Sequence, residues 1–336
     1  MVRAVVVQEA VAEEEAVAEE EAVAEEEAVG VEEEDAVVGV EVERLCVPPQ
    51  WIQDLPVLGV GLGFRRSLKQ DILAHKHDIN FLELILEQYV EPSFGQLREL
   101  RHLGKLFPLI PHGLGLSLGS IDPPDSGFLK GVASVVGRID PPWWSDHIAM
   151  TRAGPLDIGH LAPLPFTESA VEVICRNIRK LKDYITTPLI LENISYTHHF
   201  ANNALTEAEF VRAILEQGDC GLLLDLMNLY ANSQNHHYDP FRFLDEIPLE
   251  RVVQIHVIGG HWENGVLVDS HSTSTPAEVW ELLRYVAQRT QIKAILVEWD
   301  EQFPPFDSIV RELSIARDIL LKTPSKTPQG HSHALG

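Results

Sequence analysis

Four histidines and four carboxylates carry the chemical potential of this sequence: His112, His147, His256 and His271, with Glu192, Asp225, Asp269 and Glu298. Imidazole nitrogens and carboxylate oxygens are ligands for zinc, manganese and iron. Gathered into one partly buried site without cations, such carboxylates would repel one another or be forced to take up protons. Two divalent ions would balance the four formal negative charges, and a third would leave room for hydroxide or a substrate group. Eight side chains exceed what one tetrahedral or octahedral ion takes from a protein, so the set points to a multinuclear centre. Asp269 and His271 are two apart, which puts both on one side of an extended segment. Asn193 and Asn228 are further candidates, as carbonyl ligands or as groups that orient a ligand, and Asp146 is placed to orient His147. Glu83 and Glu87 line the same region or bind a partner, whereas His198, His199, His236 and His237 read as loop residues at the surface or against substrate.

Residues so far apart in sequence meet only if the fold returns the chain repeatedly to one place. Short apolar runs at 57–64, 79–86, 107–114, 143–150, 188–194, 221–227, 251–258 and 293–299 read as eight strands. Between them lie segments with apolar residues recurring at three and four, as at 168–184, 207–216 and 277–289, which read as helices. The strands are too apolar to be half-exposed, and their eightfold alternation with helices predicts an α/β fold of the closed (β/α)₈ TIM-barrel kind, with an open doubly wound sheet as the alternative. In a barrel all strand C-termini open on one mouth, and six of the eight ligand candidates fall at or just past the ends of strands three to eight. Asp269 and His271 follow the seventh strand. The Gly59-Val60-Gly61-Leu62-Gly63 run lacks the spacing of a dinucleotide fingerprint and lies inside the first strand, so it reads as close backbone packing.

Of the formal charge of -25, residues 1–44 supply -14, from 16 acidic and two basic residues. The body is moderately acidic and offers no overall basic balance for a nucleic acid. Residues 10–27 repeat Ala-Val-Ala-Glu-Glu-Glu three times. A six-residue period turns the apolar positions by about 240° per repeat, so no continuous stripe forms. Residues 1–50 are therefore expected to be an acidic low-complexity tail, 51–321 the barrel, and 322–336, with His331 and His333, a loose C-terminal segment. Cys46, Cys175 and Cys220 show no C-x-x-C spacing and read as free thiols. The glutamate-rich start is unlike a signal peptide and no apolar run approaches a bilayer span, so a cytoplasmic protein away from the membrane is expected, with Asn193-Ile194-Ser195 a chance sequon.

In order and spacing, several segments resemble the multinuclear non-haem iron-dependent oxidative enzymes, the family that includes the methanobactin biosynthesis oxidase. They are Gly59–Gly63, Phe81-Leu82-Glu83-Leu84, His112-Gly113 with Ser117-Leu118-Gly119, Ser145-Asp146-His147, Leu191-Glu192-Asn193, the run from Leu224 to Tyr230, Ile255-His256, Asp269-Ser270-His271 and Glu298-Trp299-Asp300. The likeness covers about 57–320 and departs slightly at Val257-Ile258-Gly259-Gly260-His261, where a substrate contact could change. The wider architecture is similar to xylose-isomerase-like barrels and to endonuclease IV. The resemblance implies two or three iron ions that activate dioxygen and oxidise a cysteine, or occasionally another residue, of a ribosomally made precursor peptide. It also implies a separate partner protein that presents the peptide leader. Zinc or manganese suits the same ligands. Two competing readings are a zinc- or manganese-dependent hydrolase or isomerase and a metal-binding protein without turnover.

Overall fold

The computed structural model describes residues 47–322. The acidic segment expected to be a tail lies outside the described residues up to Leu45, as do Cys46, His331, His333 and the C-terminal segment beyond Lys322. Within the last residues assigned to the N-terminal tail, a short helix α1 (Gln50–Gln53) begins at Gln50.

Eight parallel strands close into a barrel: β1 (Gly59–Gly63), β2 (Leu82–Ile85), β3 (Leu109–His112), β4 (Trp144–His147), β7 (Leu189–Glu192), β8 (Gly221–Asp225), β9 (Val252–Val257) and β12 (Ala294–Val297), in the spatial order β1-β12-β9-β8-β7-β4-β3-β2. The main connecting helices are α2 (Lys69–Ala74), α3 (Phe94–Leu103), α4 (Ser126–Ile139), α5 (Glu168–Lys182), α6 (Glu207–Gly218), α7 (Leu226–His236), α8 (Pro240–Glu246), α9 (Ala277–Ala287) and α10 (Phe306–Lys322). All eight expected strands are present. The expected helices also form, and α6 starts at a Thr206–Glu209 capping box, in which each side chain takes the other residue's main-chain N–H.

Two antiparallel hairpins were not anticipated: β5 (Met150–Ala153) with β6 (Leu156–Ala162), and β10 (Gly259–Glu263) with β11 (Val266–Thr273). Both follow barrel strands and so stand at the mouth. The sixth expected strand also ends early. Asp225, still extended, accepts the Asn228 N–H at 2.6 Å as the cap of α7, which begins at Leu226 where the strand was expected to run on to Met227. Consequently His236 is the last residue of a helix and not a loop residue.

The barrel interior is layered. Ile52, Leu55, Phe81, Ile110, Trp143, Ile190, Leu223, Val253, Ala294 and Leu296 form an apolar floor, with α1 closing the bottom. The larger apolar cluster joins the outer strand faces to the helices. The floor explains part of the glycine run: a Cβ on Gly61 would stand 2.5 Å from the Phe81 ring. At the other end of the barrel, α7 packs against β11 and ties the second hairpin to the helical layer.

Candidate metal centre

Strand side chains alternate, so a residue two places beyond a floor residue faces the same interior. Phe81 is followed in this way by Glu83, Ile110 by His112, Ile190 by Glu192, Leu223 by Asp225, and Leu296 by Glu298. Trp143 leads to Ser145 and then His147, and His256 projects from β9. The result is a polar storey directly above the apolar floor, and its seven ionisable members are all buried. Four groups of ligand atoms converge to within 4.8 Å of one another: His112, His147 and Glu192; Glu192, Asp225, His256 and Glu298; Glu83, His112 and Glu298; and His271, Glu298 and Asp300.

The contacts inside the cluster are close but poorly aligned for hydrogen bonding. Glu298 Oε2 lies 2.7 Å from His256 Nδ1, yet both atoms are buried without a hydrogen-bond partner. Glu192 Oε2 faces His147 Nε2 at 3.2 Å and His112 Nε2 at 3.4 Å, and it too is unpartnered, as are Asp225 Oδ2 and Asp269 Oδ1. Such groups incur the cost of burial without compensation unless something lies between them. Donor atoms aimed at a common point are the arrangement that ligands adopt around a cation, and this donor set fits a metal centre.

Outer partners fix how the rings present themselves. His147 Nδ1 donates to Gly113 O at 3.0 Å, so a neutral ring turns its Nε2 lone pair toward Glu192. His112 Nδ1 meets Ser145 Oγ at 2.8 Å, which leaves its Nε2 toward the same carboxylate. Glu83 Oε2 lies 3.2 Å from His256 Nε2 and accepts from Gln254 Nε2 at 2.5 Å, while Gln254 Oε1 accepts from Trp143 Nε1 at 2.9 Å. The turn that offers Gly113 O is held by Glu87 Oε1, which accepts the Leu114 and Gly115 N–H groups at 2.8 Å each. A side chain at 113 would collide with Asp146, since a Cβ there would stand 2.4 Å from Oδ2.

Electrostatics follow from burial and crowding. Burial opposes ionisation of Glu192 and Glu298, but the facing imidazoles overcome it: His147 and His256 hold Glu192 below the ordinary carboxylate range, and His256 and His271 hold Glu298 well below it. Asp225 is pushed well above that range by burial and by Asp269 and Glu192. His256 and His271 are raised well above the usual histidine value because the surrounding carboxylates outweigh desolvation, whereas desolvation lowers His112.

The remaining predicted positions divide clearly. Asp269 contacts His271 Nε2 at 2.7 Å from β11, but joins none of the four tight groups. Asn193 uses its whole amide on the main chain of Asp225, donating to its O at 3.0 Å and accepting from its N at 2.9 Å. Asn228 donates to Asn193 O at 3.1 Å and keeps a buried Oδ1 without a partner. Asp146 accepts the His147 main-chain N–H at 2.7 Å but does not hold the ring; burial, against the pull of His147 and with Glu87 nearby, pushes its carboxyl up to about 7. His198 and His199 lie in an exposed loop, and His236 stacks on Tyr196. Sequence reasoning gave no role to Gln254, or to Ser145 and Asp300 within the segments that carry the resemblance, and placed Glu83 only loosely. The floor-plus-two relation marks Glu83, while Asp300, 3.1 Å from His271 Nδ1, carries no comparable signal.

The sequence model described as RiPP precursor modification enzyme MbnB/TglH/ChrH matches residues 59–321. This chain belongs to that family. Among MbnB/TglH/ChrH-like relatives, a UPF0276 protein of Caulobacter vibrioides is 34% identical over 263 residues, covering 78% of this chain and 94% of its own. Another, from Acaryochloris marina, is 34% identical over 256 residues and covers 76% and 92%. The fold is shared with endonuclease IV from Thermus thermophilus (TM-score 0.51, 13% identity, 79% of this chain and 100% of that one). It is shared equally with an L-ribulose 3-epimerase (TM-score 0.50, 11% identity, 80% and 99%). The barrel of this MbnB/TglH/ChrH member thus has the same closed (β/α)₈ fold as these enzymes, and among the described residues no helix is long and apolar enough to cross a membrane.

Proposed function

We propose that this protein is a multinuclear iron enzyme that uses dioxygen to oxidise a cysteine of a ribosomally synthesised precursor peptide. The observation that carries the metal assignment is the set of buried, mutually facing and unpartnered ligand atoms on Glu192, Asp225, His256 and Glu298. Family membership supports the peptide. His112, His147 and Glu192 would hold one ion; Asp225 and His256, with Glu192 and Glu298, a second; and His271, Glu298 and Asp300 a third, with Asp269 a ligand candidate at the other nitrogen of His271. Bound iron supplies dioxygen reduction and a Lewis-acidic position for sulfur.

The chain's own residues prepare that site. Gly113 O and Ser145 Oγ orient His147 and His112, and Glu83 orients His256. The apolar floor seals the cluster from below. Cys175 and Cys220 are buried away from the cluster, Cys175 on α5 and Cys220 just before β8, so among the described residues no protein thiol competes with a substrate sulfur. The test is to purify the protein without oxygen, count its metals, add cysteine-bearing peptides encoded near its gene, and follow oxygen uptake and peptide mass. Two or three irons per chain with a cysteine-dependent mass change are expected. Metal-replete protein that oxidises a serine variant of the peptide equally well would refute the thiol route.

A further inference from the structure

The β10–β11 hairpin has two edges that differ sharply. On the β11 side, the Asn235 amide copies a neighbouring strand: Nδ2 donates to Leu267 O at 2.9 Å, and Oδ1 accepts from Leu267 N at 2.8 Å. Leu267 stands opposite Trp262 in the hairpin register. Because Leu267 directs its N–H and C=O to Asn235, the Trp262–Leu267 pair is the wide kind that exchanges no ladder hydrogen bonds. The N–H and C=O of Trp262 therefore point away from β11, onto an edge that no strand pairs with and no described side chain caps. The hairpin turn is the tight left-handed kind, with φ of 48° at Asn264 and 83° at Gly265, which fixes this register.

Trp262 is 59% exposed. Cross-strand partners share a face, so it lies on the same face as Leu267; Asp269 follows two residues further along β11, where the pairing with β10 becomes irregular. Other exposed apolar residues, Leu114, Ile121 and Leu156, belong to segments that follow β3 and β4 and so ring the same mouth. The open edge is short. Gly260 O is already taken by Thr273 Oγ1 at 3.0 Å, and Glu263 closes the turn, so the edge offers one residue's worth of pairing.

We propose that this edge docks the substrate peptide in an extended form: one peptide residue pairs main chain to main chain with Trp262, the indole covers its side chain, and the peptide runs along the hairpin toward the cluster. A single paired residue suits a peptide, whereas joining two folded copies edge to edge takes a longer run of pairs. Two strand residues span about 7 Å, so the residue delivered beside Asp269 stands about two to three positions from the one paired with Trp262. This inference rests on the peptide reading above.

The test uses the full chain, iron-loaded and held under argon so that nothing turns over. The probe is a synthetic panel of short fluorescent peptides, each with one cysteine in varied flanks. Binding is read by anisotropy, and each amide of the best binder is then N-methylated in turn. Trp262→Ala is expected to weaken binding about tenfold with iron content and melting unchanged, and N-methylation is expected to do the same at one position only. The two changes combined should cost little more than either alone. Unchanged affinity in Trp262→Ala, a flat N-methylation profile, or no binding by any peptide overturns the proposal. So does a concentration-dependent dimer that Trp262→Ala abolishes, which would assign the edge to a second copy. Peptides that bind with the expected pattern but keep their mass after aeration would leave the docking edge standing and refute the oxidase reading instead.

Discussion

Loading the cluster with a divalent cation should release protons. Before a cation arrives, His256 and His271, raised well above the usual histidine value, hold protons near neutral pH, and Asp225, raised well above the usual carboxylate range, gives up its proton less readily than an ordinary carboxyl. Glu192 and Glu298 are already ionised and contribute none. Cations that take Asp225 Oδ2, His256 Nδ1 and a nitrogen of His271 must displace the protons there, giving up to three per fully loaded chain. Each displaced proton makes apparent affinity rise about tenfold per pH unit. The sign follows from the direction of the shifts. Below the raised values protons compete and affinity falls, while above them the protons have already left and affinity levels off. Anaerobic calorimetry with Fe²⁺ or Zn²⁺ in two buffers of different ionisation enthalpy counts the protons directly. Release of fewer than one proton per chain near pH 7, with full occupancy, would show that the cluster does not fill at these atoms.

Three further outcomes are expected. Gln254→Leu removes the partner of both Trp143 Nε1 and Glu83 Oε2, and should lower stability by about 1–3 kcal/mol and metal affinity about tenfold or more, read by urea melts and metal titration. Gly61→Ala should cost about 1–3 kcal/mol through its clash with the Phe81 ring, and Phe81→Leu in the same chain should recover part of it; no cost in the single variant would refute the close approach. Glu207, held by Tyr196, Tyr238 and Asn232, is pushed up to about 7 by burial, so its protonated form stabilises the fold at low pH and that stability is lost as pH rises through about 7. Glu207→Gln should flatten this slope, worth about 2 kcal/mol after discounting partial exposure, in melting curves between pH 5 and about 8.

The barrel strands were legible because burial on both faces writes near-continuous apolar runs, as at Leu222-Leu223-Leu224 and Ile295-Leu296-Val297. His112, His147, Glu192, Asp225, His256 and Glu298 stood out because a charged residue at the end of such a run breaks the pattern at a repeated place. The hairpins did not stand out: β6 is largely exposed, so no core-facing alternation marks it, and β10 opens with two glycines. The sixth strand was carried on to Met227 because Leu226 and Met227 suit a strand or a helix, and the Asp225 cap decides between them only in three dimensions. Asn193 illustrates a subtler limit. Its amide matches the main chain of Asp225, a relation set by strand register that residue type alone does not reveal.

The layered interior has a consequence for how this scaffold can change. Apolar residues that close the barrel and polar residues that face its contents occupy adjacent tiers, two positions apart on the same strands. Substitutions in the upper tier can therefore retune which ions and reactions the cavity supports without dismantling the packing that keeps the chain folded. The Trp143–Gln254 hydrogen bond joins the tiers, so variants at Gln254 test how far folding and chemistry can drift apart before one begins to constrain the other.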